Sequence, residues 1–209
     1  AFDYDKVKKY CDSDVIVFPR MAQDGEELKL LNGKTIKLSS DDIVIATDTT
    51  AIALGGVMGG TDTEVDENTK NIIIEGANFD MYAMRRTSMR HGIFSDAVTR
   101  FNKGQSPLQN DRVIAKMVHE LRTHAGGKVA SKLLDVTDID LSGDNLHHVD
   151  VTIEFINVRL GSQLVAEEIK ALLENVEFTV EVDESELYIT APFWRMDIAI
   201  PEDIVEEVG

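Results

Sequence analysis

The fold of this chain is decided by the stretch IVIATDTTAIALGGVMGG, residues 43–60. Its two apolar runs, 43–46 and 51–54, have the length and composition of buried β-strands. The second run leads into two pairs of glycines that bracket Val57-Met58, without the spacing of a dinucleotide-binding or phosphate-binding loop. Because glycine lacks a β-carbon, this backbone can turn tightly or approach a ligand closely. The stretch therefore predicts a buried strand pair followed by a glycine loop that is either a tight turn or part of a site.

The residues on either side predict more β-structure and then a helix. Asn32-Gly33 separates two alternating segments, which indicates a β-hairpin. A further apolar run at 71–75 predicts another strand. Ser106-Pro107 then supplies a helix cap and a first-turn proline, apolar residues recur at helical spacing from 113 to 121, and Gly126-Gly127 ends the helix.

A second, smaller domain is predicted near the C-terminal end. Residues 138–150 are polar and acidic without periodicity, so we place a domain boundary there. Beyond it, one helical pattern is followed by two alternating segments that flank a turn at 183–186, and a helix followed by a hairpin resembles a small winged-helix module. We expect an α+β fold, with one domain over residues 1–140 and another over 150–209.

Composition indicates a globular chain with an uneven charge distribution. No stretch approaches the roughly 20 apolar residues of a membrane helix, and the first residues do not form a signal peptide, so we expect a cytoplasmic protein without membrane contact. The single cysteine, Cys11, excludes an internal disulfide. The formal net charge is −17, yet residues 85–128 hold 9 basic and 3 acidic side chains, whereas residues 151–209 hold 3 and 14. This asymmetry predicts two modules with different partners.

Two groups of polar residues in the first domain are site candidates. Glu75 ends an apolar strand, where its carboxylate could accept a hydrogen bond from a substrate hydroxyl or be solvated at the strand edge. The run 85–104 concentrates arginine, hydroxyl and imidazole groups, and arginine forks match the phosphate oxygens of an RNA backbone. The alternative is that these arginines pair with the surplus carboxylates of the chain. His91 is assigned no nucleophile, since a catalytic triad is recognised by its geometry.

A third candidate is the segment 194–207, in which several carboxylates surround Pro201. Proline suits the first turn of a helix, and acidic side chains interact favourably with the positive end of the helix dipole. Carboxylates without histidine or thiol neighbours suit magnesium or calcium rather than zinc. The segment therefore predicts either a site for such a cation or the acidic start of a helix.

Three ordered motifs resemble the beta chain of bacterial phenylalanyl-tRNA synthetase over essentially the whole chain. They are Ala1-Phe2-Asp3, the block from Gly56-Val57-Met58-Gly59-Gly60 through Arg100-Phe101-Asn102-Lys103-Gly104, and Pro192-Phe193-Trp194-Arg195-Met196-Asp197 through Glu206-Glu207. The resemblance implies an internal piece of that subunit, in which a mixed-sheet B3/B4 editing domain precedes a winged-helix-like B5 domain.

For the first domain, the resemblance implies hydrolysis of tyrosine misattached to the phenylalanine tRNA. It places Gly59, Glu75, Ser95 and Ala97 around the editing pocket and no catalytic side chain among them. A carboxylate such as Glu75 can pair with the para-hydroxyl group that distinguishes tyrosine from phenylalanine, and small residues at 59 and 97 leave room for the ring. The family usually has a pocket histidine just before Ala1, so we expect weak hydrolysis at best. The alternative is a related non-catalytic module that binds RNA or a protein.

For the second domain, the resemblance implies a magnesium site shared with the alpha subunit. Its ligands would be Asp197, Asp203, Glu206 and Glu207. The full enzyme would be a heterotetramer that uses ATP to aminoacylate the phenylalanine tRNA, with that reaction carried out by the alpha chain. Around Ser95 and Arg100 the sequence departs conservatively from the family motifs Thr-Glu-Ala-Ser and Arg-Phe-Glu-Arg-Gly.

Overall fold

A computed structural model describes residues 1–137 and 147–209 of the chain. Residues 1–105 and 110–129 form one unit, and residues 106–109 and 130–209 belong to a second. Most of the segment in which the sequence predicts a domain boundary, residues 138–146, lies outside the described residues. None of the helices in the described ranges is long and apolar enough to cross a membrane.

The first unit combines short strands with helices. In chain order its strands and helices are β1 (Phe2–Asp3), α1 (Tyr4–Val7), β2 (Phe18–Met21), β3 (Glu27–Lys29), β4 (Thr35–Lys37), β5 (Ile43–Ala46), β6 (Ala51–Leu54), β7 (Met58–Gly59), β8 (Ile72–Ile73), α2 (Met81–His91), α3 (Asp96–Phe101) and α4 (Asn110–Ala125). Strands β2, β5, β6 and β7 form one sheet in that order, and β3–β4 and β1–β8 form two-stranded sheets.

Strands β5 and β6 coincide with the two predicted apolar runs, so the predicted buried strand pair is confirmed. They pair antiparallel in the middle of the four-stranded sheet, with Val44 opposite Leu54 and Ile45 opposite Ala53. Val44 and Leu54 belong to one apolar cluster, and Ile45 and Ala53 belong to another. Because both faces of this strand pair are covered, both runs are continuously apolar rather than alternating.

The predicted hairpin at Asn32-Gly33 is also confirmed. Gly33 has a left-handed φ of +81°, and the Asn32 side-chain oxygen accepts a hydrogen bond from the Lys34 N–H at 3.1 Å. The strand predicted at 71–75 is shorter than expected: only Ile72–Ile73 pair, because the partner strand β1 has two residues. The α+β class is confirmed. In place of the expected mixed sheet, the described strands form separate sheets in which every pairing is antiparallel.

The helix predicted after residue 106 begins later than its sequence signals indicate. Residues Pro107–Gln109 form a 3₁₀ turn, and the Ser106 hydroxyl oxygen accepts a hydrogen bond from the Leu108 N–H at 3.2 Å. Helix α4 starts only at Asn110, so Ser106 caps the 3₁₀ turn and not the α-helix. The predicted end is correct, since Gly126 follows Ala125 with a left-handed φ of +63°.

The second unit has the helix-then-hairpin order that the sequence predicts. Its elements are β9 (His148–Thr152), α5 (Ile153–Leu160), α6 (Ala166–Glu174), β10 (Thr179–Asp183), β11 (Glu186–Thr190) and α7 (Pro201–Val208). The antiparallel sheet has the order β10–β11–β9, and Leu187 in its central strand lies opposite Val182 and Val151. Leu187 and Val151 share a buried cluster with residues of the three helices, which explains the alternation of the strands.

Candidate functional site

The glycine loop between β6 and β7 is fixed by close packing. Gly56 has a left-handed φ of +65°, and a β-carbon there would lie 2.5 Å from Met84 Sδ and 2.8 Å from Phe79 Cδ2. A β-carbon on Gly60 would collide with the carbonyl oxygen of Ile52. At these two positions, glycine is therefore required by the backbone path and by the neighbouring core.

Gly59 has different surroundings and lines a cleft. Among the described residues, a β-carbon on Gly59 would meet the side chain of Leu31 alone, 3.1 Å from its Cδ1 atom. The cleft has a volume of about 380 Å³, and its predominantly apolar lining consists of Ala1, Phe2, Leu31, Gly59, Gly60, Thr63, Glu64, Val65, Ile72 and Leu121. Small-molecule sites commonly have volumes of roughly 300–1,000 Å³. The cleft can therefore accommodate a ring-sized apolar group.

Thr63 brings an unpaired hydroxyl group to the wall of this cleft. The residue is 1% exposed, and its Oγ1 atom is buried without a hydrogen-bond partner in the described part of the chain. Leaving a buried hydroxyl unpaired costs about 1–3 kcal/mol. A polar group of a bound molecule could offset that cost if the side chain turned toward it. No sequence pattern indicates Thr63, because burial of a hydroxyl without a partner arises only in the folded chain.

Glu75 lies two residues after β8, whose Ile72 lines the cleft. The carboxyl group is half-buried, and it makes no hydrogen bond or ion pair with any other described residue. Burial raises the pKa of Glu75. The carboxyl is therefore available to a ligand, although Glu75 is not itself among the residues that line the cleft.

Ser95 and Ala97 lie at the start of α3. The Ser95 hydroxyl donates a hydrogen bond to the Val57 carbonyl at 2.7 Å and accepts one from the Val98 N–H at 3.2 Å. It thereby caps α3 and ties the helix to the glycine loop, two residues before Gly59. Ala97 is half-buried in the first turn of the helix. Because the Ser95 proton is engaged by a carbonyl, this hydroxyl positions the loop rather than presenting a nucleophile.

In the second unit, Arg195 engages two of the four carboxylates predicted to bind magnesium. Its guanidinium contacts the carboxylate of Asp197 at 2.7 and 2.8 Å and that of Glu207 at 2.7 and 3.0 Å. Asp203 accepts hydrogen bonds from two backbone N–H groups at the start of α7, and Glu206 is exposed. No group of three or more potential metal ligands is present in the described chain. In this arrangement the four carboxylates do not fit a divalent ion, and the magnesium site stays a prediction.

Residues 1–126 match the family model of the B3/4 domain. The chain belongs to the B3/4 domain family. Residues 149–209, which include the Arg195 cluster, match the model of the tRNA synthetase B5 domain. The order of the two matches is the order that the sequence resemblance implies.

Whole-chain comparisons extend this B3/4 and B5 assignment to named relatives. The chain is 34% identical over its full length to a phenylalanine–tRNA ligase beta subunit from Bacillus cereus, of which it covers 25%. It is 36% identical, over 91% of its length, to the corresponding subunit from Lactobacillus johnsonii, of which it covers 23%. A solved N-terminal fragment of the phenylalanyl-tRNA synthetase beta subunit from Pyrococcus horikoshii is 18% identical, with a TM-score of 0.49, over 99% of this chain and 57% of that one. The resemblance to this subunit family is confirmed, and the chain spans about a quarter of the length of these curated relatives.

Within the B3/4 domain, the four residues predicted around the pocket do not all line the Gly59 cleft. Gly59 lines the cleft, Glu75 follows a strand that contributes to it, and Ser95 is joined to the glycine loop by a hydrogen bond. Neither Ser95 nor Ala97 is among the residues that line the cleft. Their role in a pocket stays a prediction.

Asp42 forms the main polar cluster of the B3/4 domain that sequence reasoning missed. Its fully buried carboxylate accepts hydrogen bonds from Thr87 Oγ1 at 2.8 Å and Arg90 Nη1 at 2.6 Å, and it contacts His91 Nε2 at 2.7 Å. The cluster ties α2 to the loop before β5. Arg90 and His91 of the basic run therefore bind a carboxylate of the protein itself. In the sequence, the one indication of a common partner is that both residues lie one helical turn from Thr87.

Proposed function

We propose that this chain is the editing and B5 portion of a phenylalanine–tRNA ligase beta subunit. The observation that carries the proposal is the ordered match of residues 1–126 to the B3/4 domain and 149–209 to the tRNA synthetase B5 domain. On this proposal, the B3/4 domain hydrolyses tyrosine wrongly attached to the phenylalanine tRNA. The apolar cleft beside Gly59 supports it, because that cleft can accept an aromatic ring.

Glu75 is the residue that we propose distinguishes tyrosine from phenylalanine. Its carboxyl group has no partner among the described residues, so a tyrosine hydroxyl would give it one and a phenylalanine ring would not. A hydrogen bond to a charged group contributes about 1.5–3 kcal/mol, which corresponds to about 10- to 150-fold in discrimination. On this proposal, Gly59 contributes to substrate binding because its missing side chain leaves space for the aromatic ring.

In the proposed reaction, water adds to the ester carbonyl carbon and the bond to the ribose oxygen then breaks. A proton from the attacking water passes to the departing ribose oxygen, which leaves as a hydroxyl group. Because the Ser95 hydroxyl donates to a backbone carbonyl, we assign the attack to water rather than to this side chain. Orientation of the water by backbone N–H groups and by the neighbouring ribose hydroxyl would supply the rate enhancement.

The remaining proposals concern the whole enzyme. We propose that the chain acts in the cytoplasm within a heterotetramer with the alpha subunit, which uses ATP to attach phenylalanine to its tRNA. Asp197, Asp203, Glu206 and Glu207 would contribute to a magnesium site only in an assembly where the alpha subunit adds ligands and Arg195 releases two of these carboxylates.

A deacylation assay tests the editing proposal. Tyr-tRNA(Phe) and Phe-tRNA(Phe) would be incubated with this chain and with the chain extended upstream to include the preceding histidine of the family. We expect the extended chain to hydrolyse the tyrosyl ester preferentially and Glu75→Ala to remove that preference. Glu67→Ala, at an exposed carboxylate nearby in sequence, is the matched control. Equal discrimination by the Glu75 variant would refute the role of Glu75, and binding of the tRNA without hydrolysis would favour a non-catalytic RNA-binding module.

A further inference from the structure

One face of α2 presents two arginines between a tyrosine and a methionine. Tyr82 is 60% exposed and Met89 is 67% exposed, and Arg85 and Arg86 between them are also exposed. Together with Arg90 these residues line a shallow, open surface pocket of about 560 Å³ along this one helix, called here the Tyr82 groove. Their spacing of three, four and seven residues places them along a single stripe of the helix.

The two central arginines of the Tyr82 groove are not neutralised within the described chain. Arg90 pairs with Asp42 at 2.6 Å and with Asp41 at 3.3 Å. Arg85 and Arg86 form no ion pair with any described residue, although the chain has 38 acidic and 21 basic side chains. An acidic protein repels a polyanion except where positive charge is concentrated locally. The groove is such a place.

We propose that the Tyr82 groove binds single-stranded RNA. Arg85 and Arg86 contact successive phosphates through their planar guanidinium forks, and the exposed Tyr82 ring stacks on a base. The Met89 thioether supplies a flexible apolar surface beside that base. Charge complementarity and an exposed aromatic ring together favour RNA over an acidic peptide, which has no base to stack.

This inference deepens the proposed function, whose substrate is an ester of RNA, and it rests on that proposal for the source of the strand. The Tyr82 groove and the Gly59 cleft share no lining residue. On this proposal, the groove holds the nucleic acid and the cleft receives the amino acid. Binding and hydrolysis can therefore be measured and lost separately.

The proposal is tested on the 209-residue chain by fluorescence anisotropy with a labelled single-stranded RNA. The RNA is about 12 nucleotides long, a length within the range of binding-site sizes of single-strand-binding modules. Each phosphate contact to single-stranded nucleic acid contributes about 0.7 to the slope of log K against log salt. We expect Arg85→Gln/Arg86→Gln to reduce the slope by about 1.4 and to weaken binding about tenfold or more at low salt. Lys29→Gln/Lys37→Gln removes the same charge from exposed positions of the β3–β4 hairpin and should leave the slope unchanged.

A second pair of variants tests the stacking contact. Tyr82→Ala should weaken RNA binding about fivefold or more, whereas Phe94→Ala, at an aromatic residue that is 74% exposed and outside the groove, should not. Equal weakening by the arginine and lysine pairs, or tighter binding of a polyglutamate peptide than of RNA, would overturn the proposal. Ester hydrolysis without binding in the groove would overturn this inference alone. RNA binding in the groove without ester hydrolysis by the chain extended upstream would retain the inference and overturn the editing role.

Discussion

Replacing Asp42 by asparagine should strongly destabilise the first unit. The carboxylate is fully buried, and its two oxygens serve four groups: Thr87 Oγ1 and Arg90 Nη1 on Oδ1, and the Ser39 N–H and His91 Nε2 on Oδ2. An asparagine oxygen can keep one of these pairs. The amide NH₂ group then replaces the acceptor oxygen that lies 2.9 Å from the Ser39 nitrogen and 2.7 Å from His91 Nε2.

The size of the effect follows from these contacts. Each buried hydrogen bond that loses its acceptor costs about 1–3 kcal/mol, and removing one partner of a buried charged pair costs about 3–5 kcal/mol. We therefore expect Asp42→Asn to lower the free energy of unfolding by roughly 4 kcal/mol at pH 7. That is a large share of the about 5–15 kcal/mol that stabilises a typical domain.

The effect should depend on pH. Burial by itself would raise the pKa of Asp42, but hydrogen bonds from the Ser39 N–H, His91 and Thr87 hold that pKa below its ordinary value. A carboxyl whose pKa is lower in the folded state stabilises fully above its unfolded pKa of about 3.9, and this contribution is lost as the pH falls through the folded value. The difference between wild type and Asp42→Asn should therefore shrink below about pH 4.

The loss of stability in Asp42→Asn can be measured by urea unfolding, followed by tryptophan fluorescence and by circular dichroism. Trp194, the single tryptophan, lies in the second unit and its fluorescence reports on that unit, whereas circular dichroism reports on both. We expect Asp42→Asn to shift part of the dichroism transition to lower urea and to leave the tryptophan transition in place. Asp41→Asn is the matched control, because its side chain is 68% exposed and should change stability by at most about 0.5 kcal/mol. A difference between the two variants below about 1 kcal/mol would refute the reasoning.

Three further predictions concern packing and charge. Gly56→Ala should destabilise the first unit in urea by at least about 1 kcal/mol more than Gly25→Ala, because both glycines have a positive φ but only Gly56 is crowded; equal costs would contradict this. Thr63→Val should leave the free energy of unfolding unchanged or raise the urea midpoint, because the buried hydroxyl has no hydrogen-bond partner among the described residues. A lower urea midpoint would contradict this and would indicate that the hydroxyl has a partner. Arg195→Met should lower the stability measured by Trp194 fluorescence by roughly 1–3 kcal/mol. Because Arg195 holds the pKa of Asp197 below its ordinary value, that loss should diminish as the pH falls below about 4; a loss that does not change with pH would argue against the ion pair.

Short sequence patterns predicted the backbone correctly where the local conformation does not depend on residues far away in the chain. The Asn32-Gly33 turn and the glycine after α4 were correct because left-handed backbone favours these residues wherever it occurs. The strand around Ile72 and the start of α4 were less accurate. The length of that strand depends on a partner about 70 residues away, and the helix start depends on how Pro107 closes a 3₁₀ turn.

For the candidate sites too, the sequence indicates the residue types but not which residues they contact. The carboxyl group at the end of an apolar strand and the basic run were visible in the sequence as residue types. Only the folded chain decides that Arg90 is neutralised by Asp42, that Arg85 and Arg86 have no ion-pair partner among the described residues, and that Arg195 pairs with two of the carboxylates expected to bind a metal.

The sequence by itself determined the family, the α+β class and the buried strand pair at 43–46 and 51–54, because these depend on ordered motifs and on local hydrophobicity. Tertiary structure decided which glycines are required by packing and which opens a cleft. It also decided which charged side chains form ion pairs within the described part of the chain. The physical reason is that pairing and burial depend on distances between residues far apart in the chain, and a pattern of residue types does not contain those distances.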